Sequence, residues 1–231
     1  GKRETVSDAA KVLSRYVSMI VIRTFAHQDV VQLARHASVP VINALTDLLH
    51  PCQIASDIFS IYEKKKQFEN LKIAYLGDGN NVANSWLELA CKLKLDLRIG
   101  TAENTLPDSA TFHRAQETGV SRVRIATNPI DAVQDADVVY TDVWASMGQK
   151  NLAEQKEASL RFFQVNSDLL KHAKKDCLIM HCLPANRGQE ITDDVMDGPN
   201  SIVFDQAENR LHTQKAIMMT LLKLSEKKKR K

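Results

Sequence analysis

The 231-residue chain lacks the marks of several functional classes. No apolar run approaches the roughly 20 residues that a membrane-spanning helix needs, so no membrane partner is expected. The opening Gly1-Lys-Arg-Glu4 is polar, unlike a secretory leader. An excess of one charge is missing too: 31 Lys and Arg are interspersed with 28 Asp and Glu, and a net charge of +3 is too mild to argue for nucleic acid. The one basic run, Glu226-Lys-Lys-Lys-Arg-Lys231, reads as a solvated C-terminal tail. Cysteine is sparse, and the spacing of Cys52, Cys91, Cys177 and Cys182 contains no metal-type pair. Reduced thiols in a cytoplasmic setting, with no metal, are the expectation.

What is present is an ordinary globular balance, 44% hydrophobic and 26% charged, enough for one large or two small domains. Strand-like runs are expected at 19–25, 39–45, 72–78, 97–101, 123–127, 138–144, 178–183 and 202–205. Helix-period runs fall between them at 7–16 with Ser7 as N-cap, 27–36, 51–67, 82–94, 109–118, 151–163, 167–174 and 209–224. This alternation predicts an α/β fold of parallel sheets covered by helices. The charged segment Glu63-Lys-Lys-Lys-Gln-Phe-Glu69 separates two such arrays, which places domains at 1–66 and 67–207, with a last helix over 208–231 packing back on the first. The first array has only two strands, few for a parallel sheet buried on both faces, so it reads as N-terminally truncated.

Open α/β sheets bind ligands at the carboxyl ends of their strands, so the loops there carry the functional signal. His181-Cys182-Leu183-Pro184 ends one strand and Asp142 another, the latter followed by Ala145-Ser146-Met147-Gly148. Gly77-Asp78-Gly79-Asn80-Asn81 is a glycine turn opening a helix whose N–H groups suit an anion or carboxylate. Val82 stands where a dinucleotide fingerprint wants a small residue, and the next strand ends in Thr101-Ala102 without an acid, which disfavours a nicotinamide oxidoreductase. His50 and Gln53 occupy a helix entrance beside Pro51, and both can donate to a phosphate or carbonyl oxygen. Arg23 closes an apolar strand, and Arg210 opens the last helix. A strand-end arginine suits an anion ligand, because burying it unpaired is costly.

His181-Cys182-Leu183-Pro184, Asp142-Val143-Trp144-Ala145-Ser146-Met147-Gly148, Gly77-Asp78-Gly79-Asn80-Asn81, His50-Pro51-Cys52-Gln53 and Ala207-Glu208-Asn209-Arg210 together resemble, in order and spacing, the ornithine carbamoyltransferases. The resemblance implies two α/β domains, the second Rossmann-like, in a homotrimer or a multiple of one. It implies transfer of the carbamoyl group of carbamoyl phosphate to the δ-amine of L-ornithine, without metal or organic cofactor. Arg23, His50, Gln53, Cys182, Leu183 and Arg210 would take carbamoyl phosphate, with Arg23, His50, Cys182 and Arg210 closest to the chemistry. Asn81, Asp142, Ser146 and Met147 would hold ornithine, Asp142 pairing with its α-ammonium. Aspartate carbamoyltransferases are similar in the first domain but carry a basic stretch at the position of Asp142 to Gly148, as an anionic second substrate requires. The family's phosphate-gripping Ser-Thr-Arg-Thr stretch is not among these 231 residues, so weak turnover of carbamoyl phosphate is expected. The alternative is a non-catalytic truncated paralogue or fragment that binds an amino acid or a related subunit.

Overall fold

The computed structural model describes residues 4–145 and 153–229. Among these, two parallel sheets follow one another along the chain. Helix α1 (Val6–Tyr16), strand β1 (Ile20–Arg23), α2 (His27–His36), β2 (Val41–Leu45) and α3 (Pro51–Lys65) form the first array. The second runs β3 (Lys72–Leu76), α4 (Asn81–Ala90), β4 (Asp96–Gly100), α5 (Ser109–Glu117), β5 (Arg122–Ala126), α6 (Pro129–Val133) and β6 (Val138–Thr141). It continues with α7 (Ala153–Leu160), α8 (Ser167–Leu170), β7 (Leu178–His181), α9 (Asp193–Met196) and α10 (Val203–Lys229). Strands β1 and β2 pair alone, whereas the second sheet has the order β5-β4-β3-β6-β7, all parallel. Because β4 and β5 lie on one side of β3 and β6 and β7 on the other, the winding reverses beside β3, where such sheets open a crevice at their carboxyl ends.

Strand residues alternate between faces, so β3 feeds two cores. Ile73 and Tyr75 pack with Ile54, Trp86, Leu97 and Tyr140 on one face, and Ala74 and Leu76 with Val139, Phe163 and Ile179 on the other. On the first face the ring centroids of Tyr75 and Tyr140 lie 5.8 Å apart, stacked, and Trp86 meets Tyr140 edge-on at 5.7 Å. Aromatic pairs of this geometry add about 0.5–1.5 kcal/mol beyond their area burial, which fixes the crevice floor. Helix α10 packs along α3 through polar contacts: Asn209 Nδ2 donates to Ser60 Oγ at 3.0 Å, and Lys64 pairs with Asp205 at 2.5 Å.

Several boundaries differ from expectation. Thr5, not Ser7, caps α1, its Oγ accepting from the Asp8 N–H at 3.1 Å. The expected strand at 202–205 is the start of α10, so Arg210 lies inside that helix and does not open it. Only the Ile179–Ser201 bridge reaches β7 before Gln206 N–H bonds back to the Ile202 carbonyl at 2.8 Å. Buried Ile202, Val203, Gln206 and Asn209 recur at helical spacing while Phe204 is exposed, the pattern of one helix face and not of a strand buried on both sides. Short helices α6 and α9 are too brief for a periodicity signal, and the first two residues of the expected helix at 151–163 lie outside the described residues.

Gly79 shows how tightly the crevice turn is built. A Cβ there would stand 2.2 Å from the Pro107 nitrogen and 2.3 Å from the Leu106 carbonyl carbon, both backbone atoms that cannot swing aside. Gly79→Ala is therefore expected to destabilise the fold by about 1–3 kcal/mol or more, the usual cost of overpacking. Urea unfolding measures this, and a change below about 0.5 kcal/mol, the range of neutral surface substitutions, would refute the close approach.

Candidate active site

Strand register builds the site. Leu76 pairs with Thr141, and Thr141 with His181, so the next residues, Gly77, Asp142 and Cys182, leave neighbouring strands side by side. Asp142 and Cys182, forty positions apart in sequence, are thereby in contact: Cys182 Sγ donates to Asp142 Oδ1 at 2.8 Å. The same oxygen accepts from the Val143 N–H at 2.8 Å, and Asp142 Oδ2 accepts from Asn80 Nδ2 at 2.7 Å. Burial, then the Asp142 carboxylate, push the Cys182 thiol well above the usual range, so it stays a protonated donor and not a nucleophile. His181 is fully buried beneath this corner instead of facing the crevice. Its Nδ1 accepts from the Leu183 N–H at 2.9 Å, which leaves the ring proton on Nε2, 3.1 Å from Glu190 Oε1. Leu183 follows with φ +55° and a cis bond to Pro184.

A second group gathers around the N-terminus of α3. His50, at the N-cap, is buried; its backbone N–H donates to Ser85 Oγ at 2.6 Å, and its Nδ1 has no hydrogen-bond partner among the described residues. Burial first, then Arg210 and Arg23, hold its ring at a pKa of about 3, so it is a neutral imidazole. That shift also places both arginines near His50, although Arg23 at the end of β1 is exposed and Arg210 comes from α10. Arg210 Nη1 donates to Gln53 Oε1 at 2.7 Å, and Gln214, turned so that its carbonyl faces the guanidinium, accepts from Nε at 2.8 Å and Nη2 at 3.0 Å. Arg210 also acts on the Cys182 thiol, which ties the two groups into one crevice.

Two expectations change in detail. Two of the first N–H groups of α4, those of Val82 and Ala83, are not open to a ligand, because Asn80 Oδ1 accepts from them at 2.9 and 3.2 Å. Asn81 Nδ2 donates to the Thr46 carbonyl at 2.7 Å, joining the two arrays. Gln53 has one amide hydrogen committed to Asp57 at 2.9 Å. Ser146 and Met147 lie outside the described residues. Sequence reasoning missed Asn80, Ser85, Asp57 and Gln206. Asn80 left a signal, as an Asn directly before a helix, the preferred cap, and so did Asp57, four residues after Gln53 on the same helix. The described residues Asp142, His181 and Cys182 bring ligand-type atoms within 4.8 Å of one another, but the hydrogen bonds above already account for them. No described helix is long and apolar enough to cross a membrane.

Comparison with known proteins matches this arrangement. Residues 1–63 fit the family model for the carbamoyl-P binding domain of aspartate/ornithine carbamoyltransferases, and residues 69–221 the model for their Asp/Orn binding domain. The ornithine carbamoyltransferase of Syntrophus aciditrophicus is 53% identical over 222 residues, 96% of this chain and 74% of that protein. The solved structure of the Pyrococcus furiosus enzyme superposes with a TM-score of 0.88 at 51% identity, over 95% of this chain and 71% of that one. The Giardia lamblia ornithine transcarbamoylase gives 0.87 at 32% identity, over 95% and 75%.

The neutral His50 has a measurable consequence. Its folded-state pKa of about 3 lies below the ordinary 6.5, so the unfolded chain binds the proton first and stability drains away as pH falls from 6.5 toward 3. His50→Gln should lose less stability than the parent between pH 6.5 and pH 4, measured by denaturant titration at each pH. Identical slopes would show that His50 is not held neutral by the fold.

Proposed function

The chain belongs to the aspartate/ornithine carbamoyltransferase family, and on that premise we propose that it transfers the carbamoyl group of carbamoyl phosphate to the δ-amine of L-ornithine, giving L-citrulline and phosphate. The observation that carries the choice of second substrate is the buried carboxylate of Asp142 at the crevice floor. A diamino acid brings an ammonium that such a group pairs with, whereas aspartate brings a second carboxylate that it repels. The domain division we propose is 1–66 for carbamoyl phosphate and 67–207 for ornithine, with 208–231 returning to the first.

Arg23 and Arg210 supply positive charge for the phosphate, and neutral His50 donates to the carbamoyl oxygen as negative charge develops there. A neutral donor suits this step, since it polarises the carbonyl without giving up its proton. Gln53 holds Arg210 in place. Asp142 takes the α-ammonium, Ser146 and Met147 follow it in sequence as the expected carboxylate partners, and Asn81 bridges the two halves. Cys182, as a protonated thiol, and the Leu183 carbonyl orient the δ-amine and the carbamoyl nitrogen. The uncharged δ-nitrogen attacks the carbamoyl carbon, the C–N bond forms, and the C–O bond to phosphate breaks with its electron pair leaving on phosphate. The amine's proton leaves to phosphate or water. Positioning at about 3 Å and charge stabilisation supply the rate, with no covalent intermediate on the protein. Use of the product for arginine synthesis and assembly as a homotrimer in the cytoplasm complete the proposal.

Citrulline formation from carbamoyl phosphate and L-ornithine tests it, with L-aspartate, putrescine and N-acetylornithine as competing acceptors. Ornithine is expected to be preferred, and turnover of aspartate instead would overturn the assignment. Asp142→Ala should raise the ornithine KM far more than the carbamoyl phosphate KM, because losing one partner of a desolvated charge pair costs roughly 2–5 kcal/mol. Equal changes in both constants would remove Asp142 from the ornithine site.

A further inference from the structure

Asp57 stands behind the crevice on α3, one turn after Gln53, and its side chain is wholly buried. Its Oδ1 accepts twice, from Gln53 Nε2 at 2.9 Å and from Gln206 Nε2 at 2.7 Å. Its Oδ2 is buried with no hydrogen-bond partner. A carboxyl oxygen left in that state destabilises a fold, so Asp57 is not explained as a device for stability. Its geometry does have a use. A primary amide has one donating end and one accepting end, and fixing the nitrogen decides where the oxygen points. With Nε2 held by Asp57, Gln53 must turn Oε1 toward Arg210, which it meets at 2.7 Å. Turned the other way, its NH2 would face the guanidinium, donor against donor.

We propose that Asp57 is a positioning residue for carbamoyl transfer, setting the amide orientation of Gln53 and, through it, the place of the Arg210 guanidinium over the carbamoyl phosphate site. This rests on the reading of Arg210 as a carbamoyl phosphate ligand. Asp57 reaches the ornithine side at one remove, through Gln206, whose Oε1 accepts the His181 N–H at 3.0 Å and whose Nε2 also donates to the Tyr140 hydroxyl at 3.2 Å, and none of the hydrogen bonds among the described residues joins Asp57 to Asp142 or Cys182. Burial pushes the Asp57 carboxyl up to about 7, against the lowering by the Gln53 and Gln206 amides, by the Tyr140 hydroxyl and by Arg210. Its neutral form, with the proton on the unpartnered Oδ2, keeps Oδ1 as the double acceptor. Asn at this position reproduces that form.

The test is a set of four proteins assayed for citrulline with each substrate varied in turn: parent, Asp57→Ala, Gln53→Ala and the double variant, with Asp57→Asn as the conservative replacement. Asp57→Ala should raise the carbamoyl phosphate KM about tenfold or more while the ornithine KM moves less than about threefold, since residues that act through one another couple and distant ones do not. On the Gln53→Ala background the same change should add less than about threefold, and Asp57→Asn should restore carbamoyl phosphate use to within about threefold of the parent. A merely structural carboxyl would instead damage both substrates alike and cost as much with Gln53 removed, and either result overturns the proposal. If Asp57→Ala does not fold, Asp57→Leu takes its place in the cycle, and a loss above tenfold in Asp57→Asn is by itself decisive against the idea. An inactive parent would overturn the functional reading together with this one, whereas an active parent with additive variants would remove the role of Asp57 alone.

Discussion

Everything in the crevice depends on the register of three parallel strands. Leu76, Thr141 and His181 stand in one row across β3, β6 and β7, so the chain leaves the sheet at three adjacent points and delivers the glycine turn, Asp142 and Cys182 to one place. A slip of one residue in β6 would turn Asp142 to the opposite face and bury a carboxylate in the apolar core. The fully buried Tyr75, Tyr140 and Trp86 oppose such a slip, because their packing holds β3, β6 and α4 in a single alignment.

Above that row the crevice separates charge. The Asp142 carboxylate is satisfied by an amide, a thiol and a backbone N–H, none of them a cation, so its charge remains available to an incoming ammonium. Arg210 likewise is met by the neutral carbonyls of Gln53 and Gln214. Neutral partners orient both ions without cancelling them, and the two poles lie where a diamino acid and a phosphate ester would need opposite signs. Lys156, which meets Asp78 at 2.6 Å, offsets a nearby carboxylate that would otherwise repel Asp142.

Much of this was legible in the chain. Alternation of apolar strand and helical runs marks seven of the eight expected strands, and the loops that carry His50, Asp142 and Cys182 stand at element ends where turn residues and unexpected charges betray them. The run at 202–205 misled because three consecutive apolar residues, Ile202, Val203 and Phe204, look alike in a short strand and in the first turn of a half-buried helix. Asn80 and Asn81 are the same residue type side by side, and only the helix geometry makes Asn80 the cap and the partner of Asp142. The pairing of Asp57 with Gln206 left no trace, since the two lie 149 positions apart, whereas Gln53 and Asp57 stand four apart on one helix, a spacing at which such side chains meet.

The sequence alone determined the class of fold, the order of its elements and the chemical types at the strand ends, because those follow from local periodicity and from turn chemistry within a few residues. Tertiary structure decided which of those ends meet, which amide faces which ion, that His50 is neutral, and that His181 lies under the crevice and not in it. These are consequences of register and burial, and both are set by contacts between segments that no local pattern records.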